Sequence, residues 1–188
     1  EIRVECGIGI ALMQKEQEKF SEGRANVAEL EENFLQIMRA IHFPGIADKD
    51  EVSINTKTWM PYILPGGNQD RAWTFGDAGS GGKKVLFKIC FALALHLTAA
   101  RRNLSLPKLL LIDSTMKNIT PDINRDVVAH FYKEVYRLLS DDLSTWQCIL
   151  VDQTYFAPDE KYKLPLVERM LKKDDPEHPR LISYYTGH

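Results

Sequence analysis

The feature that most constrains the fold is an order of three pieces. Gly79-Ser80-Gly81-Gly82-Lys83-Lys84 opens a helical pattern, and the apolar run Leu109-Leu110-Leu111-Ile112 that follows it ends in Asp113. Clustered glycines mark a tight turn. After it, Leu86, Ile89, Cys90, Leu93, Ala94 and Leu97 recur at steps of three and four, with Val85 broadening the face. That period predicts an amphipathic helix from Lys83 to about Arg101. An unbroken apolar run of strand length predicts a strand buried on both faces. The pattern then repeats. Pro121-Asp122 precedes a second helix, from Ile123 to about Leu139, with Val127, Val128, Phe131, Val135 and Leu138 on its inner face. Ile149-Leu150-Val151 is a second candidate for a buried strand. Helices alternating with buried strands imply an α/β fold with a mainly parallel sheet flanked by helices.

The flanking segments are more varied. Val27, Leu30, Phe34, Ile37, Met38 and Ile41 place a helix over Ala25 to His42, which Pro44-Gly45 stops. Val52, Ile54 and Trp59 alternate with polar residues as strands do, and Pro61, Pro65 and Gly66-Gly67 mark turns. Leu164 to Lys172 reads as a short amphipathic helix ahead of the charged, proline-containing stretch from Asp174 to Pro179. Residues 1–24 fit a linker or the end of a coiled coil, and residues 25–188 a single lobe.

Composition narrows the classes. The 188 residues carry a net charge of −2, so nothing global attracts nucleic acid or an anionic membrane. The apolar stretch from Val85 to Ala100 is broken by Lys88 and His96, short of the roughly 20 residues of a membrane span. No basic start followed by an apolar core marks a secretion signal. Cys6, Cys90 and Cys148 are widely spaced, which argues against a disulfide framework or a zinc site and suits a reducing cytoplasm.

Small residues at a helix start expose backbone N–H groups, and the helix dipole adds partial positive charge. The turn therefore favours phosphate, with Ser80 as a hydroxyl donor and Lys83 or Lys84 as the cation; the same glycines also suit a plain tight turn. The turn is not a phosphate loop of the form G-x-x-x-x-G-K-[S/T]. Asp77 stands where the first glycine is required, and Lys84 where a magnesium-binding Ser or Thr is required.

Ala78-Gly79-Ser80-Gly81-Gly82-Lys83-Lys84 instead resembles the signature motif of ABC-type ATPases, L-S-G-G-Q/E-K/R. It keeps the Ser-Gly-Gly core and a basic residue, and departs at Gly79 and Lys83. Asp113 follows Ser80 by 33 residues, at the end of an apolar strand, as the Walker B acid does in the SMC-like branch. The resemblance covers roughly Ala25 to His188. It is closest in feel to prokaryotic SMC-like ATPases, including those of anti-phage defence, which show a similar Asp-Ser-x-Met-Lys-Asn-Ile run.

The resemblance implies the C-terminal lobe of an ATPase head, with an N-terminal helical or coiled-coil remnant and with the Walker A loop outside this chain. Gly79, Ser80, Gly81, Gly82 and Lys83 would contact ATP held by an opposing head. Asp113 would hold Mg2+. Three positions depart from the family. Ser114 replaces the Glu that activates water, and a hydroxyl is a poor base. Asn118, Ile119 and Thr120 occupy the D-loop, where Leu-Asp is usual at its end. Asp152 and Gln153 replace the switch His; Asp152 is a substitute carboxylate and Gln153 a donor and acceptor for phosphate or water, or the two simply form a strand-end turn. ATP hydrolysis is then expected only with the N-terminal lobe present and two heads joined. Implied partners are that lobe, a second head, DNA and an effector subunit, with genome defence or DNA repair as the setting and the cytoplasm as the location. Two other classes stay in view. One is a nucleotide-independent interaction module with an ABC-like fold. The other is an unrelated α/β hydrolase built on Ser114, which lacks the G-x-S-x-G elbow.

Overall fold

A computed structural model of the protein describes residues 2–113, 121–152, 156–172 and 175–179, with the backbone alone at 2–12 and 121–125. The elements in order are helix α1 (Ile2–Ala40), strands β1 (Glu51–Asn55) and β2 (Met60–Leu64), helix α2 (Gly81–Arg101), strand β3 (Leu109–Asp113), helix α3 (Pro121–Ser140) and strand β4 (Gln147–Val151).

The first helix is longer than its apolar pattern from Ala25 suggests. It runs unbroken through position 24, and residues 13–23 stand exposed on every side. Met13, Phe20, Val27 and Phe34 recur every seventh residue along it. The first two are exposed, Val27 packs on the core edge and Phe34 is fully buried. A single apolar line thus starts in solvent and ends in the core.

The core lies between α1, α2 and α3. Phe34 meets Phe87 at 5.1 Å and Phe91 at 5.5 Å, both edge to face. Phe131, Val135 and Leu138 of α3 are buried in the same cluster, with Leu110 and Ile112 of β3. The whole buried cluster holds most of the inner positions that the helical periods predict, together with Phe87, which those periods did not single out.

The strands depart from expectation. Among the described residues they form two separate sheets and not one mainly parallel sheet: β1 pairs antiparallel with β2, and β3 pairs parallel with β4. Trp59 belongs to no strand; it sits in the hairpin turn at φ 55°. The runs read as buried on both faces alternate instead. Leu110 and Ile112 are buried, whereas Leu109 is 48% exposed, Leu111 65%, Ile149 39% and Val151 47%. One side of the parallel pair faces the core, and the other is an open apolar surface. Leu164 to Lys172 is not helical, and Leu166, Val167, Met170 and Leu171 are exposed. A short helix with no core to lie on loses the packing that would stabilise it.

Polar contacts fix how the elements run. Glu31 accepts the N–H of Ile54 at 2.7 Å and docks the hairpin on α1. Asn33 donates to Thr98 at 2.9 Å, and Glu29 pairs with Arg102, so α1 and α2 are antiparallel. Arg101 reaches Asn33 at 2.7 Å and Asp142, just past α3, at 3.0 Å. His130, midway along α3, stacks against His42, just past α1, at 4.1 Å. Both α2 and α3 therefore run toward one junction around Arg101. The N-terminus of α2 lies at the opposite end. Strand β4 begins five residues after Asp142 and β3 runs parallel to it, so both strands start near the junction and lead away from it. No helix among the described residues is long and apolar enough to cross a membrane.

Candidate functional site

Two groups of sequence-predicted residues lie at the end of the body away from Arg101. One is the glycine turn. It is approached by a 3-10 turn at Phe75–Asp77, closed by a capping box. Asp77 accepts the N–H of Thr74 at 2.9 Å and its hydroxyl at 3.0 Å. These two bonds, the backbone one first, hold the Asp77 carboxyl below the usual carboxylate range. Gly79 follows at φ 85°, a left-handed backbone that glycine adopts without a Cβ penalty.

Ser80 is the N-cap of α2 and accepts the N–H of Lys83 at 3.4 Å. The first N–H groups of any helix lack a carbonyl one turn back, and those of Gly81 and Gly82 are in this position. Gly79, Ser80 and Gly81 are exposed, Gly82 is buried and Lys83 is half-buried. The helix onset is thus two residues before Lys83. The ammonium groups beside the turn are those of Lys84 and Lys88, 5.8 Å and 4.3 Å from the centre of the Phe75 ring. Cation–π attraction holds both charges near the Phe75 ring. Lys88 and Phe75 escape a motif search. The spacing of Lys84 and Lys88, one helical turn apart, is the only sequence signal for them.

The second group is at the carboxyl ends of the parallel strands, the usual place for ligands in parallel α/β sheets. Asp113 ends β3, is exposed and pairs in register with Val151. It continues the alternation of Leu109 and Leu111, on the open side of the pair. Asp152 comes one residue after Val151 and turns to the other side, where the phenol of Tyr132 donates to it at 2.9 Å. Burial, and then this hydrogen bond, push the Tyr132 hydroxyl well above its ordinary range. The Tyr132 ring stacks on Phe156 at 5.0 Å, and the Tyr136 hydroxyl donates to the Phe156 carbonyl at 2.6 Å. Helix α3 therefore grips the chain on both sides of residues 153–155. Tyr132 and Tyr136 carry no motif, and their one-turn spacing beside the apolar face of α3 reads as core alone.

Ser114, Asn118, Ile119, Thr120 and Gln153 lie outside the described residues. Among the described residues no group of three or more His, Cys, Asp or Glu side chains gathers to hold a metal. Asp113 offers hard carboxylate oxygens, which suit Mg2+. That ion is commonly held by one or two carboxylates, with phosphates and waters completing its shell.

No family model matches the sequence. No curated protein matches it either. Among solved structures, the chain is similar to the Smc head domain with a coiled coil and joint derived from Pyrococcus yayanosii, with a TM-score of 0.49 and 18% identity. The match covers 76% of this chain and 25% of that one, so the chain spans about a quarter of the length of that structure.

Proposed function

We propose that the chain is the C-terminal lobe of an SMC-like ATPase head. It supplies a signature turn and a Walker B acid, and the Walker A loop lies outside it. The observation that carries this reading is the shared end of the body. Ser80 caps the N-terminus of α2, and Asp113 stands at the carboxyl end of β3 on that side. Two further features support it. The open apolar side of β3 and β4 fits a surface that another lobe covers. The exposed stretch of α1, with Met13 and Phe20 on the heptad line that Phe34 continues into the core, fits the root of a coiled coil.

In this reading the N–H groups at Gly81 and Gly82, with Ser80 and the cations near Phe75, contact the γ-phosphate of ATP bound by an opposing head. Asp113 holds Mg2+ in its own head. Loss of the γ-phosphate removes the contacts that favour the closed pair of heads. The helical arm then carries the change to DNA, in genome defence or repair within the cytoplasm. The partners are the N-terminal lobe, a second head and an effector.

The test is Mg-ATP binding and head association. The isolated chain should bind ATP weakly or not at all, and the complete protein should bind it and pair in its presence. An Asp113→Ala protein should lose Mg2+-dependent binding. Micromolar ATP binding by the isolated chain, or full ATPase activity in Asp113→Ala, contradicts the reading.

A further inference from the structure

The connection between Tyr132 and Asp152 has no counterpart in the motifs. We propose that Tyr132 is a positioning residue for nucleotide turnover, acting by aiming the Asp152 carboxylate at the carboxyl end of β4. The proposal rests on the ATPase reading above.

Three observations carry it. Asp152 follows the residue that pairs with Asp113, so the two acids end neighbouring strands of one parallel pair. Such strands lie roughly 4.8 Å apart, and the two side chains turn to opposite sides of the pair, so the acids flank its carboxyl end. Tyr132 is only 3% exposed, and its ring is fixed by stacking on Phe156 at 5.0 Å with 24° between planes. Its hydroxyl donates to Asp152 Oδ2 at 2.9 Å. A donor held this rigidly restricts where the carboxylate can point. The Tyr136 hydroxyl, one helical turn on, donates to the Phe156 carbonyl at 2.6 Å and helps to fix the ring on which Tyr132 stacks. The position that follows Asp113 is a serine, a poor base, which leaves Asp152 as the carboxylate nearest in register.

The step is hydrolysis of ATP. The water oxygen forms a bond to the γ-phosphorus as the bond to the β–γ bridging oxygen breaks, and that electron pair leaves with ADP. The water proton passes to Asp152 and then to solvent. Tyr132 touches neither water nor nucleotide. Its contribution is to keep Asp152 in a productive orientation, a matter of geometry and not of binding.

The experiment uses the complete protein and measures kcat, KM for Mg-ATP and thermal stability in Tyr132→Phe, Asp152→Ala and the double variant. Phenylalanine keeps the stacking ring and removes only the donor. The expected result is a fall in kcat of about tenfold for Tyr132→Phe at unchanged KM, with a larger fall for Asp152→Ala. On the Asp152→Ala background, Tyr132→Phe should cause no further loss. An unchanged kcat in Tyr132→Phe, an equal loss on both backgrounds, or a loss explained by lowered thermal stability overturns the proposal. Mg-ATP binding by the wild type and Asp113→Ala is measured alongside. Binding without turnover in the wild type overturns this inference and leaves nucleotide binding standing. Binding indifferent to Asp113 overturns the ATPase reading itself.

Discussion

The indole N–H of Trp146 donates to Nδ1 of His96 at 2.9 Å, which ties the residue just before β4 to α2. Nδ1 must be unprotonated to accept this bond, and burial lowers the His96 pKa from its ordinary value. Lys108, 4.9 Å from the Trp146 ring centre, adds positive charge nearby. The folded pKa lies below the unfolded one, so the unfolded chain binds the proton more readily. Stability from this contact is complete above the unfolded pKa of about 6.5 and is lost as pH falls toward the folded value. Thermal unfolding followed by circular dichroism from pH 8 to pH 5 should show Tm dropping below about pH 6.5. His96→Gln keeps an acceptor without a titrating group and should flatten part of that slope. An identical slope in the variant removes His96 as its source.

The junction around Arg101 should separate a buried network from a surface pair. Asn33 is buried, donates to Thr98 at 2.9 Å and accepts from Arg101 at 2.7 Å. Asn33→Ala removes one bond from each partner, although Arg101 keeps Asp142 and Thr98 still donates to the Ala94 carbonyl at 2.8 Å, and should cost about 1–3 kcal/mol in urea unfolding. The Arg102–Glu29 pair spans the same two helices but is more exposed. Arg102→Ala should cost less than about 1 kcal/mol. Equal costs for the two variants would show that the network adds nothing beyond its charges.

Legibility of the sequence followed the physics of each segment. Helical periods were readable because one face of α2 and α3 meets a core, so Leu86, Cys90, Leu93, Phe131, Val135 and Leu138 recur at the right spacing. The run Leu109–Ile112 misled because continuous apolarity reflects demand on both faces, while this chain covers only one of them. Leu111 is apolar although it is open here. The start of α1 was obscure because residues 13–24 are exposed, touch no core and need no full apolar stripe. Trp59 alternates like a strand residue, yet Trp59 donates its N–H to the Asn55 carbonyl at 2.7 Å and closes the hairpin turn instead. At the candidate site, motifs pointed to Ser80 and Asp113, whereas Tyr132 and Lys88 make tertiary contacts that no motif encodes.

The glycine turn makes two distinguishable demands. Gly79 sits at φ 85° with open space where a Cβ would go, so any penalty at this position is backbone strain alone. Gly79→Ala should destabilise by roughly 1–2 kcal/mol. Ser80→Ala removes a cap bond that is long, at 3.4 Å, and should cost only about 0.5 kcal/mol. Thermal melts of the two variants check the order. A Ser80→Ala change costlier than Gly79→Ala would mean that the hydroxyl, and not the backbone shape, holds the turn together.

The open side of β3 can be tested against its inner side one residue away. Leu110 is buried at 5% exposure and Leu111 is open at 65%. Leu110→Ala should lower stability by about 2–5 kcal/mol through a core cavity. Leu111→Lys should change the stability of the isolated chain by no more than about 0.5 kcal/mol, because its side chain already meets water. If that side docks another lobe, burying the added ammonium there is costly, so the variant should fail to bind a separately supplied N-terminal lobe. Self-association of the isolated chain through the same apolar patch should also fall. Light scattering after size-exclusion chromatography reads self-association, and calorimetric titration reads lobe binding. Undiminished lobe binding by Leu111→Lys would exclude this side of β3 and β4 as the docking surface.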